Sequence, residues 1–505
     1  MSQQQVKYEL LESQREKRLK YTSYLQITLL IVLCAASSFI VYMSWTIIYR
    51  NSFNYIKLFD VPTLWIHRTH LYSQYLSEYL TLEARGNLNF TTNNQDSALR
   101  DLTRHSLGVK ELENERIFPS RYGNFIPSER SGKKKLVCYY TAPYDEDSSK
   151  NLLPRDIDPH LCTHINVGFA NVVNNTLFLD DVLRKTFVEM TALKKINQQL
   201  KILIWTGGAD TGGFADMVKD HTSRKHFIQS LKSVLETYRI DGIDLDWEFP
   251  GGFNRQRQHF SQLLHEIRRE YQREHRTYLL TVAVAAPRPI VDVAYDVGEI
   301  NNYADFINIM TYDYHFYAPS SPFTGINAPL FARENERGLM AMLNLNYSVN
   351  YWHEAGMDRD KIVIGLPTYG HSFRLVNPLN RRIGSPSTDF GSTGVLGFTS
   401  YSEVCWFQQN NIFVTTVFDN ETCSPYTTAG TEWISYDDVQ SLECKTKWAK
   451  ESDFGGVMIY SLNTDDHGLH CRSYDGDNLV SEPQTFPLSR KIHTVLFSNI
   501  STMEN

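Results

Sequence analysis

The amino-acid sequence predicts an α/β protein: a (β/α)₈ TIM barrel with an α+β insertion after its seventh strand, preceded by one transmembrane helix. Three observations support this prediction. From Lys135 onward, short apolar runs alternate with stretches of helical period. Residues 371–432, rich in Gly, Ser, Thr and aromatic side chains, interrupt that alternation for longer than one βα connection requires. Residues 25–48 carry no charge.

The uncharged segment 25–48 is long enough to cross a membrane, because roughly 20 apolar residues span a hydrocarbon core as a helix. A cleaved signal peptide is one alternative, but its apolar core is shorter and small residues follow it, whereas this segment continues through Tyr42 and Trp45. A buried soluble helix is the other alternative. The sequence therefore predicts a transmembrane helix at 25–48.

Basic residues flank this segment unequally. The preceding tail, 1–24, contains Lys7, Arg15, Lys17, Arg18 and Lys20, whereas only Arg50 and Lys57 follow closely. Because cytosolic flanks carry the excess of Lys and Arg, the sequence predicts a single-pass type II membrane protein whose remaining domains are lumenal or extracellular.

Glycosylation motifs and cysteines agree with that orientation. Five Asn-X-Ser/Thr motifs follow the span, at Asn89, Asn174, Asn346, Asn420 and Asn499. Cys34 lies within the span, and the six cysteines beyond it are Cys138, Cys162, Cys405, Cys423, Cys444 and Cys471. An even set in an oxidising compartment predicts three disulfides, although any single cysteine could instead be buried and free.

Residues 49–133 have no long apolar run and are predicted to form a lumenal or extracellular stalk. The stalk ends in a basic cluster at 130–135, which is either a processing site or a solvated charge run before a strand. Whether the stalk is cleaved is therefore left open. A net charge of −7 with a pI near 6.2 gives no broad basic surface, which argues against nucleic acid as a partner.

The barrel is predicted to occupy 134–485, with 486–505 as a C-terminal tail. Its eight predicted strands are Leu136–Tyr140, His164–Phe169, Ile202–Trp205, Gly242–Trp247, Leu279–Ala285, Phe306–Thr311, Ile362–Pro367 and Val457–Leu462. Helix candidates between them include Val182–Leu200, Arg224–Tyr238 and Gln256–His275. The active site of such a barrel lies at the carboxyl ends of its strands.

The fourth predicted strand ends in carboxylates. Asp244, Asp246 and Glu248 occupy alternate positions, so their side chains point into the barrel and toward its mouth. Three such neighbours cannot all ionise cheaply, so one is pushed toward its protonated form and can donate a proton. Glu248, nearest the mouth, is the predicted acid, whereas Asp241 has an odd offset and is predicted to be a structural anchor.

Residues 241–248, Asp-Gly-Ile-Asp-Leu-Asp-Trp-Glu, resemble the signature of glycoside hydrolase family 18, the chitinases and chitinase-like proteins. The resemblance covers about 134–475 and includes segments 135–140, 162–170, 206–208, 310–315, 365–373 and 455–466. Animal chitinases of this family also carry an α+β insertion after strand seven.

The resemblance implies retaining, substrate-assisted hydrolysis of β-1,4-linked N-acetylglucosamine chains. Glu248 would protonate the leaving oxygen while the sugar's own 2-acetamido oxygen attacks the anomeric carbon. Asp246 would orient that acetamido group, Tyr312 would hydrogen-bond to it, and Asp244 would share a proton with Asp246. No second carboxylate is then needed as nucleophile, since this family is an exception to the two-carboxylate rule.

The family pattern also implies which residues contact the sugar: Met310, Asp313, Tyr369, His371, Tyr460, Gly207 and Gly208. For His371 an ordinary polar or core histidine is an equal alternative, and His315 is interpreted as structural. The pattern implies the disulfides Cys138–Cys162 and Cys405–Cys471, which leaves Cys423 with Cys444. No metal or cofactor is predicted, because His467 and His470 lack a ligand set of suitable spacing.

The sequence departs from active family members in the groove, where tryptophans usually stand. The corresponding positions here are Pro143, Ala209, about Ala318, and Tyr460. Because stacking on flat rings contributes much of the grip on a sugar polymer, we expect weak binding to long chains. Two alternatives to the hydrolase stay open: a chitin-binding lectin with little or no activity, and an endo-N-acetylglucosaminidase acting on N-glycans.

Overall fold

A computed structural model of the chain describes residues 134–143, 151–209, 212–251, 255–471, 474–475, 478–479 and 484–498. The predicted tail, transmembrane helix and stalk, at 1–24, 25–48 and 49–133, lie outside these ranges. Within the described ranges no helix is both long and apolar enough to span a bilayer.

The described strands are β1 (Lys135–Thr141), β2 (His164–Val173), β3 (Thr176–Phe178), β4 (Lys201–Gly207), β5 (Gly242–Asp246), β6 (Leu279–Ala285), β7 (Phe306–Met310), β8 (Ile362–Pro367), β9 (Tyr369–Leu375), β10 (Ser387–Phe390), β11 (Phe398–Ser400), β12 (Thr415–Asp419), β13 (Ser424–Ala429), β14 (Glu432–Ser435), β15 (Gly456–Tyr460), β16 (Tyr474–Asp475) and β17 (Asn478–Leu479).

The described α-helices are α1 (Asp181–Ala192), α2 (Phe214–Val218), α3 (His221–Tyr238), α4 (Gln256–Arg273), α5 (Arg288–Ala294), α6 (Val297–Tyr303), α7 (Leu345–Glu354), α8 (Tyr401–Asn410), α9 (Val439–Glu451) and α10 (Pro487–Phe497). Short 3₁₀ helices lie at Pro154–Asp156, Leu193–Lys195, Met340–Met342, Arg359–Lys361 and Leu462–Thr464.

Eight parallel strands close into a barrel in the order β1, β2, β4, β5, β6, β7, β8, β15. The barrel closes because β1 pairs in parallel with both β15 and β2. Strands of such a sheet are buried on both faces, which explains their nearly continuous apolar runs. Every residue of β5, β6 and β7 is buried. The predicted eight-stranded barrel is confirmed.

The helices cover the barrel through apolar faces. In α3 the buried side chains include Phe227, Leu231 and Leu235, at a helical spacing that forms one stripe. The side chain of Asp220 accepts a hydrogen bond from the Ser223 main-chain N–H and caps this helix. The first predicted helix is shorter than expected, because α1 ends at Ala192 and a 3₁₀ turn follows it.

A second sheet of six antiparallel strands lies between β8 and α9 in the chain. Its path runs β10, β9, β14, β13, β12, with β11 paired to β9. The insertion predicted at about 371–432 falls on this sheet. Because β9 begins two residues after β8 ends at Pro367, the first residues of the second sheet stand at the carboxyl end of the barrel.

The prediction of a C-terminal tail at 486–505 is wrong for its first half. Residues Pro487–Phe497 form α10, and Leu488, Ile492, Val495 and Leu496 are buried. Their spacing gives one apolar face, which the polar residues between them obscured in the sequence. Lys450 of α9 donates hydrogen bonds to the carbonyl oxygens of Val495 and Ser498 and so holds the last turn.

Three disulfides link Cys138 to Cys162, Cys405 to Cys471 and Cys423 to Cys444. These are the three pairs expected. The first joins β1 to the segment before β2, and the second joins α8 to the segment that follows β15. The first bridge therefore ties a connecting segment to a barrel strand, and the second ties one to α8. Both limit the freedom of the unfolded chain.

Candidate active site

Carboxylates from β5 meet at the carboxyl end of the barrel. Asp244 is 0% exposed, Asp246 is 2% exposed, and Glu248, which follows the strand, is 8% exposed. The gradient follows from the alternation of the strand, which moves each successive inward side chain closer to the mouth. Three carboxylates at graded depth are thus arranged along one line inside the barrel.

Asp244 is the deepest of the three and accepts three hydrogen bonds. Its donors are the hydroxyls of Tyr139 and Thr281, each at 2.5 Å, and the amide nitrogen of Asn308 at 3.0 Å. Burial raises the pKa of Asp244, and the three donors oppose that effect because they favour the charged form. The donors come from β1, β6 and β7, so the site is assembled across the barrel.

Asp246 accepts a hydrogen bond from an indole. The Trp205 Nε1–H lies 2.9 Å from Asp246 Oδ2, and both groups are buried. The main chain of Asp246 is held as well, since the Gly208 N–H donates to its carbonyl oxygen at 2.7 Å. Gly207 has φ of 114°, and a Cβ there would lie 2.0 Å from the same oxygen. These glycines, predicted to contact sugar, therefore let β4 approach β5 closely.

Asp313, Tyr369 and His371 form a second group. The Tyr369 hydroxyl donates to Asp313 Oδ1 at 2.5 Å, and His371 Nε2 lies 2.8 Å from the same oxygen. Tyr369 and His371 stand on one face of β9, two residues apart, and both are 1% exposed. Three residues predicted separately as sugar contacts are thus joined in one hydrogen-bonded cluster.

Aromatic rings surround the end of β15. The half-buried Tyr460 ring lies 5.7 Å, centroid to centroid, from both Tyr139 and Tyr312, and 6.1 Å from Tyr369. The Tyr312 hydroxyl points to Met458 Sδ at 3.9 Å. Met310, at the end of β7, is 3% exposed. The predicted aromatic floor at Tyr460 therefore belongs to a continuous cluster of rings.

Two residues that were predicted to be structural make hydrogen bonds outside the carboxylate cluster of β5. Asp241 precedes β5 and accepts hydrogen bonds from Lys194 Nζ at 2.7 Å and from the Ile202 main-chain N–H at 2.8 Å. His315 is half-buried, with Nδ1 3.0 Å from the Ile326 carbonyl oxygen, and desolvation of its ring lowers its pKa.

The predicted groove positions Pro143, Ala209 and Ala318 are all buried. They are therefore not open places on the groove wall, and a larger ring at any of them would have to displace its neighbours.

Of the glycosylation motifs, Asn174 and Asn420 are exposed in turns, whereas Asn346 is half-buried within α7. Asn89 and Asn499 lie outside the described residues. Within those residues no three His, Cys, Asp or Glu side chains are placed to hold a metal ion.

Sequence reasoning missed four residues of this site. They are the hydrogen-bond donors Tyr139, Trp205, Thr281 and Asn308. Each lies in an apolar strand that reads as ordinary core, and each meets its acceptor only through barrel closure. The one signal in the sequence for these donors was a polar or indole side chain at a strand position that faces the barrel interior.

A family model described as Glycosyl hydrolases family 18 matches residues 135–465. The chain therefore belongs to glycoside hydrolase family 18, the family that the β5 motif indicated.

Relatives within this family include both enzymes and chitinase-like proteins. The chain is 36% identical to mouse Chitotriosidase-1 over 67% of its own length and 75% of that protein. It is 35% identical to human Chitinase-3-like protein 2 over 67% of its own length and 88% of that protein.

Solved structures of chitinases and chitinase-like proteins are similar in fold to this chain. One of YKL-39 with chitooligosaccharides gives a TM-score of 0.66 at 32% identity, covering 72% of this chain and 100% of that one. The structure of the Group IV chitinase of Ostrinia furnacalis in complex with allosamidin gives a TM-score of 0.65 at 34% sequence identity. That match covers 72% of this chain and 99% of the other.

Proposed function

We propose that this protein hydrolyses β-1,4-linked N-acetylglucosamine oligosaccharides with retention of configuration, with Glu248 as the acid. One observation carries the proposal: Glu248 follows the carboxyl end of β5 two residues after Asp246 and is the most exposed of the three carboxylates, at 8%. The deeper carboxylates are held by buried donors, so Glu248 is the member of the line nearest to an incoming sugar.

In the proposed reaction, Glu248 gives its proton to the glycosidic oxygen as the bond from that oxygen to the anomeric carbon breaks. The carbonyl oxygen of the sugar's 2-acetamido group forms a new bond to the anomeric carbon from the opposite face. Asp246 and Tyr312 orient the acetamido group. Water then attacks the anomeric carbon, gives a proton to Glu248 and releases the acetamido oxygen, so configuration is retained after two inversions.

We assign sugar binding to the cluster around Asp313 and to the Tyr460 ring. A hydrogen-bonded carboxylate fixed by Tyr369 and His371 offers an oriented acceptor for a sugar hydroxyl, and a half-exposed ring offers a flat apolar face. We also interpret the six-stranded sheet as the inserted α+β lobe of the family, which brings β9 to the groove.

The test is Glu248→Gln in the full-length protein, assayed on chito-oligosaccharides of increasing length. The variant keeps size and hydrogen bonding but removes the proton, so we expect hydrolysis to fall by at least about 100-fold while oligosaccharide affinity changes little. Glu299→Gln, a half-buried glutamate on α6, is the matched control and should retain activity. Turnover by Glu248→Gln within tenfold of the wild type would sink the assignment.

Binding without hydrolysis is the second candidate function. Human YKL-39 is described as a pseudo-chitinase with retained chitooligosaccharide binding properties, and the buried groove positions of the present chain favour weak processing. A wild-type protein that binds the oligosaccharides but cleaves none would support this candidate. Release of glycan from a high-mannose glycopeptide would instead support an endo-N-acetylglucosaminidase.

We further propose that residues 25–48 anchor the protein in a membrane with its N-terminus in the cytosol. The uncharged length of this segment and the basic residues before it support the proposal. An N-terminal tag should be digested by protease only after cells are permeabilised. Protection of the tag after permeabilisation of the plasma membrane, or extraction of the protein by alkaline carbonate, would contradict it.

A further inference from the structure

Trp205 occupies an unusual place for so large a side chain. It lies within β4, in register with Asp244 of β5, and it is 1% exposed. The indole N–H donates to the carboxylate of Asp246, and Nε1 lies 2.9 Å from Asp246 Oδ2. The largest side chain of the barrel interior therefore touches the carboxylate to which the proposed mechanism gives the orienting role.

Three further rings pack against this indole. The centroid of Tyr139 lies 5.1 Å away, that of Phe169 5.7 Å away and that of Tyr460 6.0 Å away, all edge to face. Edge-to-face pairs at these separations are attractive and restrict ring rotation. Trp205 thus contacts the donor to Asp244, the acceptor Asp246 and the aromatic floor at once.

The neighbouring strand leaves room for this ring. A Cβ on Gly168 of β2 would lie 2.7 Å from the Trp205 ring, a distance at which one of the two must move. The absence of a side chain at Gly168 is therefore part of the fit. The Trp205 ring fits against Gly168 on one side, and its only polar atom is hydrogen-bonded to Asp246 on the other. Close packing of this kind holds the ring in one orientation.

We propose that Trp205 is a positioning residue for the reaction: its indole N–H fixes the Asp246 carboxylate, and its ring supports the floor beneath the reacting sugar. The proposal rests on the proposed hydrolysis. An indole can only donate, so it holds Asp246 Oδ2 as an acceptor in one orientation. Orientation of the acetamido group affects bond formation more than sugar binding, since the reacting atoms must align.

The test compares Trp205→Phe with Trp352→Phe in the full-length protein. Trp352 is equally buried, and its Nε1 donates to the Ala285 carbonyl oxygen at 2.9 Å, so both variants lose one buried indole hydrogen bond of the same length. Trp352 lies on α7, outside the barrel strands. A purely structural effect should therefore be alike in both variants.

We expect Trp205→Phe to lower kcat by about tenfold, with KM within about twofold and the acid limb of the pH profile displaced, because Asp246 loses its fixed donor. Trp352→Phe should keep kcat and the pH profile within about twofold at a comparable loss of thermal stability. Equal kcat in the two variants would overturn the proposal.

A second measurement does not depend on turnover. In protein labelled with 5-fluorotryptophan, the signal that disappears in Trp205→Phe identifies Trp205. Asp246→Asn should move that signal, because its hydrogen-bond acceptor changes, and should leave the Trp352 signal in place. An unmoved Trp205 signal would refute the contact itself. A moved signal in a protein without any hydrolysis would instead refute the proposed function and leave Trp205 as the residue that orders Asp246.

Discussion

Side chains of this site are held in position by hydrogen bonds to buried neighbours, and Asp313 is the clearest example. It has φ of 60°, a left-handed conformation that is uncommon outside glycine. Its main-chain N–H donates to Asn327 Oδ1 at 2.9 Å, and the Asn327 amide nitrogen lies 3.3 Å from the Tyr369 carbonyl oxygen. A fully buried asparagine therefore links the turn that carries Asp313 to β9, which carries its partners.

Asn327→Ala should destabilise the protein by about 1–3 kcal/mol, because the buried N–H of Asp313 loses its acceptor. Oligosaccharide affinity should fall as well, since the Asp313 carboxylate is no longer held beside Tyr369. Thermal unfolding and titration calorimetry measure the two effects. Asn410→Ala, an exposed asparagine on α8, is the control. Equal transition temperatures for the two variants would show that Asn327 does not hold this turn.

The sequence identified the residues of this site that lie within short motifs, but not those that meet across the barrel. Asp244, Asp246 and Glu248 were predictable because strand side chains alternate, so one run of eight residues fixes their common face. Trp205 and Asn308 were not, since each lies dozens of residues from its acceptor and reads as part of an apolar strand. Only closure of the sheet brings those atoms within hydrogen-bond distance.

Among the elements, α10 was missed entirely, and one carboxylate of the barrel caps its first turn. Asp465 is fully buried after β15 and accepts hydrogen bonds from the main-chain N–H and the hydroxyl of Ser489, at 2.8 and 2.7 Å. Leu488 N lies 3.4 Å from the other oxygen. A side chain from the barrel thus satisfies the first free N–H groups of α10.

This attachment has a pH dependence with a defined sign. Burial raises the pKa of Asp465 from its ordinary 3.8 to about 6, despite the donors around it. The folded protein therefore binds a proton here more tightly than the unfolded chain does. Its contribution to stability is fully present below about pH 4 and is lost as the pH rises through about 6.

Asp465→Asn, which does not titrate, should remove that dependence. The difference in the free energy of unfolding, wild type minus variant, should grow by up to about 3 kcal/mol between pH 7 and pH 4. Comparing the two proteins at each pH cancels the other titrating groups. Denaturant unfolding of the full-length protein provides the measurement. A difference that stays constant, or shrinks toward acid pH, would contradict the assigned direction.

Elements with strong periodicity were predicted closely, and weakly patterned ones were not. The predicted strands at Leu279–Ala285 and Ile362–Pro367 match β6 and β8 residue for residue, because buried parallel strands need unbroken apolar runs. In α10 polar residues such as Ser489, Arg490 and Lys491 fall between the apolar ones. Its burial depends on α9 and Asp465, which no local pattern reveals.

At the scale of the whole molecule, three positions at which the family usually places tryptophan carry no aromatic ring in this chain. Pro143, Ala209 and Ala318 are buried, so an indole introduced at Ala209 would have to displace packed neighbours and is a poor test of the groove. Tyr317 follows β7, the sixth barrel strand, and Phe390 ends β10; both are half-buried. Their rings lie 5.1 Å apart, edge to face.

We expect hydrolysis of soluble chito-oligosaccharides to exceed that of insoluble chitin by at least about tenfold, since each missing stacking ring costs on the order of 1 kcal/mol. Tyr317→Ala should lower activity on hexamers more than on trimers if its ring extends the groove. Initial rates on oligomers of defined length and on colloidal chitin measure both effects. Efficient degradation of insoluble chitin by the wild-type protein would defeat the prediction.

The chain joins the barrel at the pole opposite to its mouth. β1 begins at Lys135, at the amino ends of the strands, and the preceding Lys134 is held there by Asp453 and the Phe454 carbonyl oxygen at 2.6 and 2.8 Å. Glu248 follows the other end of β5, and a seven-residue strand rises by about 20 Å. Lys134 and Glu248 therefore lie at opposite ends of the barrel strands, so a substitution that breaks the Lys134–Asp453 ion pair should leave the carboxylates of β5 in place.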